Sequence, residues 1–268
     1  MLQKVLHNLE EVSHSLINEW ERGNKDLFFQ EYINTRTHLK NLSNEEKDYV
    51  LENIHIDLKK VLRRLNDFFL IHYEYKSSLD LLNCSQNNFE ELTKTHHLFS
   101  AFEYKKLMFS STVQEAKTIV SVGCGPFPSS MLVFSSVTNA HLVGIDIDSK
   151  AVEQAETFMN HFQIENCSFA HVEGELYDYN TVDVIYIALM VPTKYEIIER
   201  AFATNKKKNF VVFVPDPIPI YTIFYDPLDK ERLKKEGYQV DNLPQHHQSP
   251  LHLNLLRITK NVLINKLN

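Results

Sequence analysis

Apolar residues recur at every third or fourth position through the N-terminal part of the chain. The first of these stripes consists of Val5, Leu9, Val12, Leu16 and Trp20. This spacing predicts an amphipathic helix with one buried face. No proline precedes Pro126, and Gly23 is the only glycine before Gly123. Residues that interrupt a helical hydrogen-bond ladder are therefore almost absent here, and we expect further helices.

The next helices follow from the same pattern. Ser43-Asn44-Glu45-Glu46 has the sequence of a capping box, in which the Ser43 side chain accepts from the Glu46 amide and Glu46 bonds back. The apolar run that continues this helix consists of Val50, Ile54, Leu58, Leu62 and Leu65. We expect a fourth helix over residues 68–82 and a fifth over 89–109. Together these helices predict an N-terminal helical domain of residues 1–112.

From residue 117 onward, short β-branched runs alternate with helical stretches. The runs that predict strands are TIVSVGC, HLVGIDI, CSFAHVE, VDVIYIAL and NFVVFVP, and the helical stretches include AVEQAETFMNHF and YEIIERAFA. This alternation predicts an α/β domain of residues 113–268, with a parallel sheet covered by helices on both faces. GYQVDNL and LHLNLLRITK predict an antiparallel hairpin at one sheet edge. A single mixed domain without a boundary is the alternative.

Composition and charge disfavour several classes of function. The 268 residues include 28 Lys and Arg against 35 Asp and Glu, a net charge of −7, so the chain lacks the basic surface that nucleic-acid binding needs. Cys84, Cys124 and Cys167 form no C-x-x-C pair, which disfavours a disulfide framework and a zinc site. The polar N-terminus and the lack of a long apolar run predict a soluble, cytoplasmic protein without a membrane span.

A glycine-containing turn closes the first predicted strand. Gly123 and Gly125 flank Cys124, and glycine lets a backbone turn tightly and approach a ligand closely. Pro126-Phe127-Pro128 follows, and the third glycine of the dinucleotide-binding fingerprint is missing. A Gly-x-Gly turn alone is a weak signal of nucleotide binding. The missing third glycine makes a nicotinamide-dependent oxidoreductase the least favoured enzyme class.

Acidic residues follow the second and third predicted strands. Asp146 lies 21 residues after Gly125, where a carboxylate can accept hydrogen bonds from a ribose diol. Asp148 and Ser149 then form a helix N-cap; alternatively, Asp146 is the cap and Asp148 a solvated charge.

The third strand ends in His171-Val172-Glu173-Gly174-Glu175. Glu173 and Glu175 compete as the acceptor for an adenine amino group, and either could be surface charge. Asp183, just before the fourth strand, is interpreted as a strand-start residue.

Together these residues resemble the S-adenosylmethionine-binding half of class I methyltransferases, which implies a Rossmann-like domain. A narrower resemblance, to the nicotianamine synthase family, covers about residues 118–200 and is carried by VSVGCGPFPSS, GIDIDSKAVEQA and VDVIYIALMVPTKYEII. The two-proline turn and the Ala-Leu-Met-Val segment followed by Lys194 separate this family from ordinary methyltransferases. The chain length and helical N-terminal half are similar to its short bacterial members, the staphylopine-type D-histidine 2-aminobutanoyltransferases.

The resemblance implies that S-adenosylmethionine is a co-substrate. An amino group of an amino acid, with histidine the expected acceptor, attacks the γ-carbon of its aminobutyrate arm, and methylthioadenosine is released. The implied contacts to this co-substrate are Gly123, Gly125, Pro126, Asp146, Ile147, Glu175, Ala188 and Leu189. No metal is implied. An opine dehydrogenase acting on the product is an expected partner.

The attacking amine arrives largely protonated, so the site needs a base. The family carries a glutamate and a tyrosine in comparable places, which implies Glu74 as the base and Tyr104 as its hydrogen-bonding partner; on residue type alone, each could be an ordinary solvated or packed helix residue. For the acceptor we expect contacts from His97, and from Asp216 and Tyr221 around the Pro215–Pro219 turn. That turn departs from the family pattern and could be a rigid connector.

The paired histidines raise the question of a metal site. His96-His97 and His246-His247 are adjacent pairs, and neighbours on a helix point about 100° apart, so we expect no metal. Two other functions stay open. One is a small-molecule N-methyltransferase that uses the same co-substrate. The other is a non-catalytic sensor of it, whose helical half binds a partner.

Overall fold

A computed structural model describes residues 2–83, 99–110, 112–207, 209–243 and 253–260, with only the backbone given for 99–101, 103, 104 and 107. The chain forms two compact units. The helical unit is Met1–Tyr73 with Pro217–Pro227, and the sheet unit is Glu74–Asp216 with Leu228–Asn268. The predicted domain boundary between residues 112 and 113 stays a prediction.

Four helices open the described chain. They are α1 Leu2–Glu21, α2 Lys25–Asn41, α3 Asn44–Asn53 and α4 Ile56–Leu82. The predicted capping box begins α3: Ser43 accepts from the Glu46 amide at 3.2 Å, and Glu46 accepts from the Ser43 amide at 2.8 Å. The predicted amphipathic stripe of α1 is also found, with Leu9 and Leu16 buried.

The predicted break between the third and fourth helices was wrong. The chain leaves α3 at Ile54, whose backbone is extended (φ −65°, ψ 124°), and α4 then continues without interruption from Ile56 through the predicted start at Phe68. No proline or glycine lies between residues 56 and 82. Nothing in this segment therefore interrupts the helical hydrogen-bond ladder between residues 65 and 68.

The described residues form a sheet of seven strands. The strands are β1 Thr118–Val122, β2 His141–Asp146, β3 Cys167–His171, β4 Val184–Ile187, β5 Val211–Pro217, β6 Tyr238–Asn242 and β7 Leu253–Lys260. Their order is β3-β2-β1-β4-β5-β7-β6. The pairs β3-β2, β2-β1, β1-β4 and β4-β5 are parallel, and β6-β7 is antiparallel. The predicted fold class, a mostly parallel α/β sheet after an N-terminal helical region, is confirmed.

Helices cover the sheet and connect its strands. They are α5 Phe99–Ser110, α6 Ser129–Val137, α7 Ser149–His161, α8 Lys194–Thr204 and α9 Lys230–Lys235, and a 3₁₀ turn spans Pro219–Ile223. The predicted fifth helix is confirmed over residues 99–109, and its start at 89–98 lies outside the described residues. No described helix is long and apolar enough to cross a membrane.

Alternate residues of each central strand enter two different apolar clusters. Ile119 and Tyr186 belong to the cluster with Phe158, while Val120 and Ile187 belong to the cluster with Ile198. Both faces of the sheet are therefore buried, as a parallel sheet requires. In such sheets, polar ligands bind beyond the carboxyl ends of the strands, where the strand order changes direction. Here that point is at β1, which lies between β2 and β4.

We predict that Gly144→Ala destabilises the sheet unit. A Cβ at position 144 in β2 would lie 2.7 Å from the Phe169 ring and 2.8 Å from Met131 Sδ, which is overpacking worth about 1–3 kcal/mol. Urea unfolding measures the loss. The double variant Gly144→Ala/Phe169→Leu removes the ring that the new methyl group meets, and we expect it to recover part of the loss. An unchanged unfolding free energy in the single variant contradicts the prediction.

Candidate functional site

The turn after β1 requires glycine at two positions. Gly123 and Gly125 have φ of +71° and +64°, the left-handed region that glycine adopts freely. The amides of Gly123 and Cys124 both donate to the carbonyl of Ile145, at 2.8 and 3.1 Å. A Cβ on Gly123 would lie 2.6 Å from Val191 Cγ2. The turn is therefore packed on both sides and held to the end of β2.

Asp146 ties this turn to the next helix. Its Oδ2 accepts from the Gly125 amide at 2.9 Å, and its Oδ1 accepts from the Asp148 amide at 3.0 Å. Each carboxylate oxygen can accept a second hydrogen bond, and the side chain is only half-buried. The cap of α7 is Asp148, which accepts from the Lys150 amide at 2.9 Å. Asp146 is thus not the helix cap, and its carboxylate oxygens can accept further hydrogen bonds, such as those of a diol.

Glu74 of α4 faces the glycine turn. A Cβ on Gly125 would lie 2.5 Å from Glu74 Oε2, so the carboxyl group lies directly against the glycine backbone. Burial raises the pKa of Glu74 to about 7; positive Lys105 opposes the shift and negative Asp146 adds to it. A carboxyl group that titrates near neutral pH can exchange a proton with a substrate under working conditions.

Two hydrogen bonds fix the part of α4 that carries Glu74. Tyr75 donates to Asp148 Oδ2 at 3.1 Å, and Gln154 of α7 donates to Ser78 at 3.0 Å. Burial, with the nearby Asp148 charge, raises the pKa of Tyr75 to about 12, so its phenol stays protonated. These contacts were missed by sequence analysis, because the partners are more than 70 residues apart and no local motif marks them.

The turn after β4 lies beside Gly123. Lys194 is buried and donates through Nζ to the carbonyls of Leu189 and Val191, at 2.8 and 2.7 Å. The Ala188 amide donates to the Val122 carbonyl at 2.9 Å, and the Ala188 Cβ lies 3.3 Å from where a Cβ on Gly123 would be. Lys194, which sequence analysis noted only as part of a pattern, therefore holds the shape of this turn.

Glu173 and Glu175, the two candidate acids after β3 for the adenine contact, differ in exposure and in hydrogen bonding. Glu175 is half-buried and accepts from the Thr193 hydroxyl at 3.0 Å, whereas Glu173 is exposed. Ile147, after Asp146, is 66% exposed, and Pro126 is buried. The contacts predicted for Ile147, Pro126 and Glu175 stay predictions. Ile147 is nevertheless an exposed apolar side chain directly after the Asp146 carboxylate.

The predicted acceptor contacts fall in different places. Asp216 is buried, pairs with Lys230 Nζ at 2.9 Å and accepts from the Leu228 amide at 2.9 Å. Tyr221 is buried in the helical unit. Tyr104 lies on α5, but its side chain is outside what the structure describes, as is all of His97. The structure therefore brings Glu74, Gly125 and Asp146 together and leaves the acceptor contacts as predictions.

Two further expectations concern Asp183 and metals. Asp183 Oδ2 accepts from the amides of Lys117 and Thr118, at 2.9 and 3.0 Å, and its Oδ1 pairs with Lys207. This is the strand-start role expected of it.

In the described part of the chain, no three His, Cys, Asp or Glu residues are grouped so as to hold a metal ion. His96, His97, His246 and His247 lie outside that part.

Comparison with solved structures identifies the fold. A mutant of MtNAS in complex with S-adenosylmethionine matches with a TM-score of 0.75 at 12% identity, over 95% of this chain and 97% of that chain. MtNAS in complex with MTA and tNA matches with a TM-score of 0.76 at 11% identity, over the same shares. MtNAS is a nicotianamine synthase, so the chain has a nicotianamine synthase-like fold. No protein-family model and no curated protein sequence matches it.

We predict that Glu74→Gln makes the protein more stable than wild type at high pH. The Glu74 pKa is raised from 4.5 to about 7 on folding, so the folded state holds the proton more tightly than the unfolded state. The unfolding free energy of wild type therefore falls by about 3 kcal/mol as the pH rises from about 4.5 through 7. Glutamine does not titrate and lacks this fall.

Urea unfolding between pH 4.5 and 9 measures the effect. The difference in unfolding free energy between Glu74→Gln and wild type should grow in favour of the variant up to about pH 7 and stay constant above it. Glu196→Gln is the control, because Glu196 is exposed and its replacement should give no such growth. Parallel profiles for wild type and Glu74→Gln contradict the raised pKa.

Proposed function

We propose that the chain transfers the 2-aminobutanoyl group of S-adenosylmethionine to the amino group of an amino acid and releases methylthioadenosine. The expected acceptor is D-histidine, and the product is the precursor of an opine-type metallophore of the staphylopine kind, which an opine dehydrogenase then consumes. The observation that carries the proposal is Glu74, a carboxyl group with a pKa of about 7 set directly against the glycine turn.

The residues around the turn suit S-adenosylmethionine. Among the described residues, Asp146 keeps one free acceptor position on each carboxylate oxygen after its two backbone bonds, which suits the two ribose hydroxyls. Exposed Ile147 offers apolar contact to the adenine ring, and Glu175 an acceptor for its amino group. The two left-handed glycines allow the tight turn beside these side chains.

The proposed reaction needs one proton transfer and no acid. The amine nitrogen attacks the γ-carbon of the aminobutyrate arm, the Cγ–S bond breaks, and the sulfur keeps the electron pair as a neutral thioether. The acceptor nitrogen must first lose its ammonium proton, which Glu74 accepts. A carboxylate with an ordinary pKa is a weak base toward an ammonium ion. The Glu74 pKa of about 7 is closer to that of the ammonium group, so proton transfer between the two groups is less unfavourable.

The likeness to MtNAS supports transfer of the aminobutanoyl group over transfer of the methyl group. One of the solved MtNAS structures holds MTA, the residue of S-adenosylmethionine that remains after its amino-acid arm is lost. The N-methyltransferase alternative uses the same turn and the same base, and differs in which carbon of the sulfonium faces the amine. The two functions therefore separate by their products.

We predict that the purified protein, incubated with S-adenosylmethionine and D-histidine, forms methylthioadenosine and a product heavier than histidine by one aminobutanoyl group. Mass spectrometry of the reaction identifies both. L-histidine in a parallel reaction reports the chirality of the acceptor. Formation of S-adenosylhomocysteine instead supports the methyltransferase, and saturable binding without any product supports the sensor.

We predict that Glu74→Gln lowers turnover at least about 100-fold and leaves the affinity for S-adenosylmethionine within about threefold, because a general base contributes 10²–10⁴ to rate. For wild type, kcat/KM should rise with pH through about 7, as the Glu74 carboxyl loses its proton. Quenched or coupled assays of methylthioadenosine formation give the turnover rates, and calorimetry gives the affinity for S-adenosylmethionine. Glu196→Gln is again the matched control, and near-normal turnover of Glu74→Gln at pH 7 removes Glu74 from the mechanism.

A further inference from the structure

A cavity of about 880 Å³ lies at the amino ends of β4 and β5, within the sheet unit. Val184 and Val211, the first residues of these strands, line it together with Thr259 and Lys260 at the end of β7. A cavity of this volume can hold a small molecule. The candidate site follows the carboxyl ends of β1 and β2, at the opposite edge of the parallel strands. This space, which we call the amino-edge cavity, is therefore separate from the candidate site.

Hydrogen bonds hold the walls of the amino-edge cavity in place. Asp183 accepts from the Thr118 amide at 3.0 Å and pairs with Lys207, which joins the start of β1 to the segment before β5. Asn205, after α8, donates to the Val182 carbonyl and accepts from the Lys207 amide, each at 2.8 Å. Because these bonds fix the segment that forms the cavity wall, little conformational entropy is lost when a ligand binds.

The described lining of the cavity is basic, although the whole chain has a net charge of −7. Two acidic and four basic residues give this lining a net charge of +2: Glu115, Asp183, Lys206, Lys207, Arg257 and Lys260. Asp183 and Lys207 neutralise each other. Within the described chain, Lys206, Arg257 and Lys260 pair with no carboxylate. Lys260 Nζ lies over the Tyr238 ring, 5.6 Å from its centroid, and this ring supplies no counter-charge.

An anion with several charges fits this lining. Like charges that lie close together repel one another, and a ligand of opposite charge relieves that repulsion. The unpaired cations come from two separate segments, at Lys206 and in β7. A ligand that spans the cavity with several charges therefore satisfies more of them than one carboxylate or one phosphate group does.

Phosphate is the anionic group that the donors of this cavity suit best. The ammonium groups of lysine and the guanidinium group of arginine both bind phosphate oxygens. Thr259 and Asn209, whose side chains make no hydrogen bond with the described chain, add neutral donors. Because the cavity has the volume of a small-molecule site and the chain as a whole is acidic, nucleic acid is a poor candidate. We propose that the amino-edge cavity binds a small molecule that carries two or more linked phosphate groups.

Calorimetry of the full chain with inorganic tripolyphosphate tests this inference. At about 150 mM NaCl, which screens non-specific attraction between exposed charges, we expect a Kd below about 100 µM. Inorganic phosphate should bind at least about tenfold more weakly, because one group reaches fewer of the cations. Citrate should also bind at least about tenfold more weakly than tripolyphosphate, because a carboxylate offers fewer acceptor oxygens than a phosphate group.

Two double variants assign the binding to this cavity. Lys206→Met/Arg257→Met removes two of the unpaired cations and should weaken tripolyphosphate binding at least about tenfold. Both side chains are exposed, so we expect the fold to be kept, which circular dichroism checks. Lys150→Met/Lys235→Met is the matched control, because it removes two exposed lysines outside the cavity. It changes the net charge equally and should leave the Kd within about twofold, since distant charges are screened.

Three results contradict this site. The first is no tripolyphosphate binding up to about 1 mM. The second is an equal response of the two double variants, whether both keep the affinity or both lose it. The third is citrate that binds as tightly as tripolyphosphate, which removes the preference for phosphate. None of these measurements needs turnover, so the inference is independent of the proposed function, and Lys206→Met/Arg257→Met should form methylthioadenosine at the rate of wild type.

Discussion

The candidate site depends on the contact between a carboxyl group and a glycine that has no side chain. Glu74 can lie against the turn after β1 only because Gly125 carries no Cβ, which would come within 2.5 Å of the carboxylate oxygen. Burial of this carboxyl group raises its pKa toward neutrality. Close packing against the turn and a raised pKa therefore meet at the same carboxyl group, and a larger residue at position 125 would collide with it.

Much of the fold could be predicted from the sequence because its signals are local. The β-branched runs that become β1, β2 and β4 end at glycine, aspartate or a turn, and both faces of the sheet are apolar. The capping box at Ser43 satisfies helix donors within four residues. The wrongly predicted break, between residues 65 and 68, lies inside α4, where no proline or glycine interrupts the helical hydrogen-bond ladder.

The site was predictable only in part. Gly125 and Asp146 follow from strand ends and spacing, and the structure joins them by a hydrogen bond of 2.9 Å. Glu74 came from the resemblance to a family, because nothing in a single helix sequence distinguishes a buried glutamate from a solvated one. The role of Tyr75 depends on Asp148, a partner 73 residues away in the chain. Such contacts leave no periodic pattern in the sequence.

The hydrogen bonds of Asp146 affect how the affinity for the proposed ligand, S-adenosylmethionine, can change. Its two oxygens already hold the amides of Gly125 and Asp148, so the turn has its shape before any ligand arrives and little conformational entropy is lost on binding. In the proposed function, the same residue is both part of the scaffold and part of the recognition surface. Substitutions that tune selectivity for the nucleoside should therefore accumulate around this carboxylate, at positions such as Ile147, while the carboxylate itself stays.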